Sequence, residues 1–430
     1  MIPSSRLFSL LGVLALLSPA CFIWENAIYA WLVVLGLLLV GVIFDSWQLS
    51  RCHLTVVKTS WNHQPTMQQP FGWTLVLFGE AARLSITAVE NDIFIPSKTL
   101  AELTVLPDGK IHAQWELLSL KRGQWTWPGA LAKMTTSLSL IEKWQLLGET
   151  PLAVYPRILT DSRDSLNPPF LMTLTGTKLN RFRRADHEFE SLRPYLIGDN
   201  YRHIDWKASS RSTGLITRQY QLEQHHQILV CLDVSRMMGT LAEGYSKLDW
   251  AIEACLHLAY LSAYFKDQMG VLAFSNHVHE WVRPRQQSIG AILNAVYNLK
   301  AETVEADFQD VCLNVLSRQK KRSLVIFLSD FLDAGSLEPA MGAFIQLNRK
   351  HCGLFVGVED PALQAHLYTK EYDFPLSVMK TMVAQDALRH RQVVLKQLQK
   401  QGLRAITVTP KNLVQQAMNA YLEIKSQGAI

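Results

Sequence analysis

Two short oxygen-bearing motifs are the first residues in this chain whose types and spacing suggest chemistry. Asp233-Val234-Ser235-Arg236-Met237 stands directly behind the apolar run Ile228-Leu229-Val230-Cys231-Leu232, and Ser329-Asp330 stands behind Ser323-Leu324-Val325-Ile326-Phe327-Leu328. A short apolar run of this kind reads as a strand buried on both faces. Two such strand ends set carboxylates and a hydroxyl at the carboxyl rim of an open sheet, where doubly wound folds place their sites. Hard oxygen donors suit Mg²⁺, so Asp233, Ser235 and Asp330 are the candidate metal ligands.

The elements that would position them follow from the pattern after Gln227. Strands are expected over 228–232, 269–274, 278–281, 323–328, 353–358 and 404–408. Helices are expected over 248–265, 288–299, 307–318, 337–350, 381–401 and 412–425. In the first helix Leu248, Ile252, Cys255, Leu256, Ala259 and Ala263 share one face. Alternation of this kind specifies a doubly wound, mostly parallel sheet with helices on both faces. The expected organisation is a transmembrane hairpin over 1–49, a β-rich domain over 50–156, a linker and polar segment over 157–226, and an α/β domain over 227–430.

The β-rich region rests on Leu54–Trp61, Trp73–Phe78 and the alternating Ile111–Leu117, with a turn at Pro107-Asp108-Gly109-Lys110. Short strands without a helical period suggest a β-sandwich. Ahead of it lie two uncharged stretches, Leu7–Trp24 and Ala27–Phe44, separated by Glu25-Asn26. Each would rise about 27 Å as a helix, close to the ~30 Å hydrocarbon core. Arg6 precedes the pair, and Arg51 and Lys58 follow it, so the positive-inside rule puts both ends in the cytoplasm. A cleaved signal peptide with an outward-facing bulk is the competing reading.

Bulk properties narrow the function further. The 430 residues carry a net charge of only +5, too little to argue for nucleic acid. The basic Arg181-Phe182-Arg183-Arg184 is answered at once by Asp186, Glu188 and Glu190. The six cysteines are scattered without a C-x-x-C pair, which points to reduced, buried thiols. No G-x-x-x-x-G-K-[ST] phosphate loop occurs, so the chain is not itself an ATPase.

Residues 188–211 carry a longer signature. Glu188-Phe189-Glu190-Ser191-Leu192-Arg193-Pro194-Tyr195, Gly198-Asp199 and Arg202-His203-Ile204-Asp205-Trp206-Lys207-Ala208-Ser209-Ser210-Arg211 resemble the domain-of-unknown-function 58 family. The resemblance runs through Leu215, Arg218, Tyr220 and Glu223 into Asp233. It implies a bacterial inner-membrane protein with an amino-terminal hairpin, a β-rich region and a von Willebrand factor A-like domain. It also implies a MoxR-type AAA+ ATPase as partner. Glu188, Arg193, Tyr195, Gly198, Asp199, Arg202, Asp205, Trp206, Lys207 and Arg211 are then partner-binding or structural signature residues.

A von Willebrand A-type metal-ion-dependent adhesion site uses Asp-x-Ser-x-Ser, a middle-loop Thr and a later Asp. Here Met237 stands at the second Ser and Ala306 at the Thr, with Thr303 and Asp307 nearby. A thioether is a poor Mg²⁺ ligand. The competing expectation keeps Asp233 and Asp330 as structural acceptors of backbone N–H groups. For His203 and Asp205, an acid/base pair in a hydrolase using the 199–205 segment is the alternative to a structural role in which Ile204 and Trp206 face a core. The leading expectation is a non-enzymatic, membrane-anchored adaptor, with the lipid bilayer and an ATPase as partners and no small-molecule substrate.

Overall fold

The computed structural model of the chain describes residues 1–18, 25–79, 83–105, 109–157, 191–196, 201, 204–212, 214–219, 226–286, 288–330, 339–359 and 376–428. They divide into two compact units, Met1–Arg157 and Ile158–Ile430.

The first unit opens with β1 (Ile2–Pro3), α1 (Ser5–Leu17) and α2 (Glu25–Arg51). Ser4 starts α1 because its hydroxyl accepts the Leu7 amide at 3.3 Å, the usual way an N-cap satisfies an orphan donor. The two helices run antiparallel. The Trp31 indole N–H donates to the Leu14 carbonyl at 3.0 Å, and the Ser46 hydroxyl reaches the Met1 sulfur at 3.6 Å. The segment Ile28–Arg51 is long and apolar enough to cross a membrane. The first expected span, Leu7–Trp24, differs from expectation. Its helix of 13 residues ends at Leu17, about 20 Å of rise and short of a ~30 Å core, and residues 19–24 lie outside the described set.

Strands fill the rest of this unit. In chain order they are β2 (Thr55–Trp61), β3 (Pro70–Phe78), β4 (Arg83–Ala88), β5 (Phe94–Pro96), β6 (Glu102–Val105) and β7 (Lys110–Ser119). Then come β8 (Gly123–Trp127), β9 (Ala130–Thr135), β10 (Ile141–Leu147) and β11 (Thr150–Val154). One sheet has the order β2-β3-β7-β5, with β6 also on β7; another has the order β1-β10-β9-β4; β8 pairs with β11. Ala113, Trp115 and Leu117 of β7 are buried while Gln114 and Glu116 are exposed, the alternation a half-buried strand requires. The core centres on Trp73, which stacks on Trp115 at 4.8 Å and meets Trp127 edge-on at 5.4 Å.

The second unit begins with β12 (Ser191–Pro194) and β13 (Ile216–Gln219), an antiparallel pair enclosing the single-turn helix α3 (Trp206–Ser209). Then follow β14 (Gln227–Asp233), the short strands β15 (Leu241–Ala242) and β16 (Tyr245–Ser246), α4 (Lys247–Tyr264), β17 (Gln268–Phe274), β18 (Val278–Arg285) and α5 (Ile289–Val296). They lead to α6 (Phe308–Arg318), β19 (Leu324–Ser329), α7 (Met341–Lys350), β20 (Cys352–Val358), α8 (Leu376–Lys400), β21 (Arg404–Val408) and α9 (Leu413–Ser426). The sheet order is β18-β17-β14-β19-β20-β21, parallel except for the edge strand β18. Strand order reverses between β14 and β19, so Asp233 and Asp330 stand at the carboxyl ends flanking the switch point, the usual ligand position in such sheets.

Burial on both faces explains the apolar runs. Ile228, Val230 and Leu232 pack in one core cluster with α4, α5 and α9, whereas Leu229 and Cys231 pack in another with α6, α7 and α8. The same burial pushes the Cys231, Cys255 and Cys312 thiols up, because a thiolate there would lose its hydration. At the other end of the sheet Asp267 accepts from the Tyr421 hydroxyl, the Lys425 ammonium (2.7 Å) and the His226 amide (2.9 Å), fixing α9 under the strands.

Gly270 marks a close backbone approach between β17 and β18. A Cβ there would stand 2.3 Å from the Val282 carbonyl oxygen and 2.6 Å from the Pro284 nitrogen. Gly270→Ala is therefore expected to force the edge strand away and lower stability by about 3 kcal/mol. Thermal unfolding of the detergent-solubilised chain checks this, and an unchanged midpoint would refute it.

Candidate functional site

The carboxyl ends of β14 and β19 carry all three sequence-predicted metal ligands, and all three are buried. Asp233 accepts the Ser235 amide at 2.7 Å on one oxygen and the Ser329 hydroxyl at 2.5 Å on the other. Burial pushes its carboxyl up from 3.8 to about 6, the bonds from Ser329 and Ser235 oppose that rise, and the charge of Asp330 adds to it. Asp233 is thus committed to holding its own loop, as a structural acceptor would be.

Asp330 is held by two cations. Lys247 donates from its ammonium at 2.6 Å to one carboxylate oxygen, and the Arg391 guanidinium donates to the other. The Lys247 and Asp330 side chains are 1% and 0% exposed, so this is a dry ion cluster rather than a surface pair. Arg391 extends the cluster through a 3.4 Å bond to the Val358 carbonyl and lies 4.0 Å from Glu359.

The sequence explains how a lysine arrives there. Ser246 and Asp249 form a reciprocal capping box at the start of α4. Lys247 is the first residue of that helix, where the helix dipole disfavours a positive charge. Only a buried carboxylate makes the position tolerable, and Asp330 supplies it.

These donors do not fit a divalent cation. Both oxygens of Asp330 are taken by fixed positive groups, and both of Asp233 by the loop. Met237, half-buried, presents a thioether, and Ala306 has no side-chain oxygen. Asp307 is used elsewhere: its side chain accepts the Asp310 amide at 2.9 Å and caps α6. Among the described residues no group of three or more His, Cys, Asp and Glu could hold a metal.

The family signature resolves only in part. Glu188, Gly198, Asp199, Arg202 and His203 lie outside the described residues, and of Arg193 only the backbone, in β12, is described. The Tyr195 amide donates to the Leu215 carbonyl at 2.8 Å. Asp205 accepts the Lys207 and Ala208 amides, each at 3.0 Å, as the N-cap of α3. That cap corrects the extended reading of this segment. Trp206 is 68% exposed instead of facing a core, because the chain turns into a helix at that residue. Lys207 and Arg211 are exposed, and one Asp205 carboxylate oxygen accepts both amides of the cap, while its proposed acid/base partner His203 lies outside the described residues.

One cluster was not anticipated. Behind β17, the Ser275 hydroxyl lies 2.7 Å from His279 Nε2 and 2.9 Å from a Glu302 oxygen, and that same Glu302 oxygen is 3.3 Å from His279 Nε2. A hydroxyl has one proton. Glu302, His279 Nε2 and Asn276 Oδ1 (3.1 Å) all lie within its reach, so the direction of the Ser275–His279 bond follows the histidine tautomer. Ser275 is also fully buried. The group braces the 302–307 loop, whose Glu302 and Asp307 amides bond to the Val234 and Ser275 carbonyls. Phe274-Ser275-Asn276-His277 behind an apolar strand was the available signal.

Two substitutions test this account. The folded Asp233 carboxyl binds its proton more tightly than the unfolded one. Its contribution to folding is complete below about pH 4 and is lost as pH rises through about 6. Asp233→Asn should therefore stabilise the chain at pH 8 by up to about 3 kcal/mol and have no such advantage at pH 4. Midpoints measured across that range decide it; a pH-independent difference would refute it. Lys247→Met removes the donor from one buried Asp330 oxygen, leaving only the Asp330–Arg391 pair, and should cost about 3–5 kcal/mol. Adding Asp330→Asn should not recover that loss, because the buried Arg391 then loses its carboxylate; full recovery would refute the three-residue ion cluster.

No curated protein matches the sequence. Among solved structures, the SpRpn10 VWA domain is 11% identical over 46% of this chain and 95% of its own, with a TM-score of 0.29. The Deinococcus radiodurans RO (RSR) protein is 12% identical over 54% of this chain and 50% of its own, with a TM-score of 0.21. An uncharacterized membrane spanning protein from Vibrio fischeri is 13% identical over 47% of this chain and 99% of its own, with a TM-score of 0.15. The family model described as Protein of unknown function DUF58 matches residues 191–366, which begin in the signature and run through Asp233 and Asp330.

Proposed function

We propose that the protein is a membrane-anchored interaction protein whose von Willebrand A-like unit receives a protein partner at its carboxyl-end rim, without a metal and without chemistry of its own. The observation that carries this reading is the internal neutralisation of Asp330 by Lys247 and Arg391. It leaves neither Asp233 nor Asp330 open to a metal or a substrate, and it buries the residues first expected to touch a partner. Docking then falls to the segments lying over them.

Those segments are preorganised. β15 and β16 form a hairpin whose two central residues, Glu243 and Gly244, both have positive φ (54° and 88°), the conformation of a two-residue type I′ turn. The Trp250 indole donates to the Ala242 carbonyl at 3.0 Å, and Lys411 pairs with Glu243 at 3.3 Å. On this rigid hairpin Leu241 is 74% exposed. Beside the strand end, the Arg236 amide is tied to the Val304 carbonyl at 2.9 Å, while the Arg236 and Glu305 side chains point to solvent. An exposed apolar side chain held on a fixed backbone costs little ordering on binding.

The partner class comes from the signature: the resemblance implies a MoxR-type AAA+ ATPase. The anchor comes from the apolar Ile28–Arg51 helix, and the distribution of Arg6, Arg51 and Lys58 favours a cytoplasmic soluble part at the inner membrane. Leu241→Asp in the full chain should weaken capture of a purified MoxR-type ATPase at least tenfold while leaving the thermal midpoint unchanged, and the full chain alone should take up no Mg²⁺ in a calorimetric titration. Equal capture by the variant would remove the hairpin from the interface, and binding of Mg²⁺ to the full chain alone, measured by calorimetry, would overturn the metal-free reading.

A further inference from the structure

The base of α2 is joined to the β-rich unit without slack. Asp45 is fully buried and accepts from the Thr136 hydroxyl and from the amides of Leu140 (2.8 Å) and Ile141 (3.0 Å). These bonds fix the turn 136–141 between β9 and β10 directly to the helix. One turn earlier, Gly41 lies against the same segment, since a Cβ there would stand 3.3 Å from Leu140 Cδ1. The amino terminus closes the joint. Ile2 and Pro3 pair with Glu142 and Ile141, and the Ser4 hydroxyl donates to the Ser139 carbonyl at 2.6 Å.

The depth of this joint can be read from charge. Between Glu25 and Asp45 the sequence has 19 residues and no charge, about 29 Å of helix against a hydrocarbon core of ~30 Å. Asp45 therefore stands at one boundary of the apolar stretch, and the turn bonded to it lies at the same depth. β10 leads away from there. Lys143 donates to the Cys52 carbonyl at 2.6 Å and Gln145 to the Leu54 carbonyl at 2.9 Å, so rising residue numbers follow the chain out past the helix end. Among the described residues, the turn is the tip of the unit nearest the apolar stretch.

That tip carries side chains suited to an interface. Met1, Ile2 and Leu138 are exposed beside the joint, and Phe44 and Trp47 are exposed on the helix. Arg6 and Arg51 flank them, with the Arg51 guanidinium 3.8 Å above the Trp47 ring. Apolar and aromatic groups with basic neighbours are the composition of a membrane–water boundary.

We propose that the amino-terminal strand and the turn 136–141 form a lipid-contacting lip seated in the headgroup layer. The β-rich unit then lies against the bilayer through this lip instead of hanging from a tether. This rests on the reading that α2 spans the membrane, and the test separates the two. The full chain, with Cys21, Cys52 and Cys352 changed to serine, is reconstituted in phosphatidylcholine–phosphatidylglycerol vesicles. Nitroxides are placed singly at Leu138→Cys, Ile2→Cys, Leu37→Cys and Val105→Cys. Oxygen should relax the labels at 138 and 2 several-fold more than a water-soluble nickel chelate does. The label at 37 should be accessible to oxygen alone, and the label at 105, on exposed β6, should favour nickel. Nickel-dominated relaxation at 138 and 2 with 37 in lipid overturns the lip and leaves the span standing. Nickel access at 37 overturns both.

Discussion

The second unit depends on a carboxylate charge kept dry. Asp330 sits at the end of a central strand, with a buried lysine on one oxygen and a buried arginine on the other. Removing two opposite charges from water is costly, and such a cluster holds only when its partners are rigidly placed. Here each partner arrives from a different element. Lys247 comes from the first residue of α4 and Arg391 from the middle of α8. The cluster ties both helices to the switch point of the sheet. Loops that follow β14 and β17 are then fixed by shorter-range bonds: Asp233 to Ser235 and Ser329, Glu302 to Val234, Asp307 to Ser275. A rim assembled this way is stiff because its ionic centre cannot be rehydrated without unfolding.

Much of this architecture was legible in the sequence. Runs such as Ile228–Leu232 contain no polar residue because both faces of the sheet are covered, and the helices between them repeat at 3.6 residues. The strands read at 269–274 and 404–408 match those observed, and the helices agree to within a few residues at their ends. Asp233, Ser235 and Asp330 do converge on the same end of the sheet. Periodicity reports which face an element buries, and position after a strand reports which end of the sheet a residue occupies.

What escaped was pairing. Lys247 stands in Ser246-Lys247-Leu248-Asp249, where the capping box is legible but its lysine reads as an ordinary surface residue. Arg391 lies in a long, polar-looking helix in which an arginine on one face is indistinguishable from its solvated neighbours. A charge run gives no sign of which member is turned inward, because the choice depends on a carboxylate 61 positions away. Trp206 failed for a related reason. The alternation rule assumes an extended chain, and the Asp205 cap converts that segment to a helix within one residue. Asp45 was likewise hidden: one acidic residue at the end of an apolar stretch reads as the edge of a span. Only the structure shows that it closes the turn 136–141.

A side-chain cation and a bound metal ion differ physically in what controls them. A metal at a rim binds by mass action, so the state of the surface follows the ion concentration and each partner's competition for an open coordination position. Lys247 has no dissociation constant. Its charge is delivered by folding of α4, and it is withheld from solvent along with Asp330. On the proposed reading a partner could not complete its shell with a carboxylate, and affinity would come from shape and apolar contact on the surface above it. The rigid type I′ hairpin bearing Leu241 suits that constraint, since its backbone is ordered before binding. On the metal-free reading proposed above, a degenerate Asp-x-Ser-x-Met motif is not a damaged metal site. It is the expected sequence where the attractive charge is built into the chain and the loop's hydroxyls are free to brace carboxylates instead of coordinating an ion.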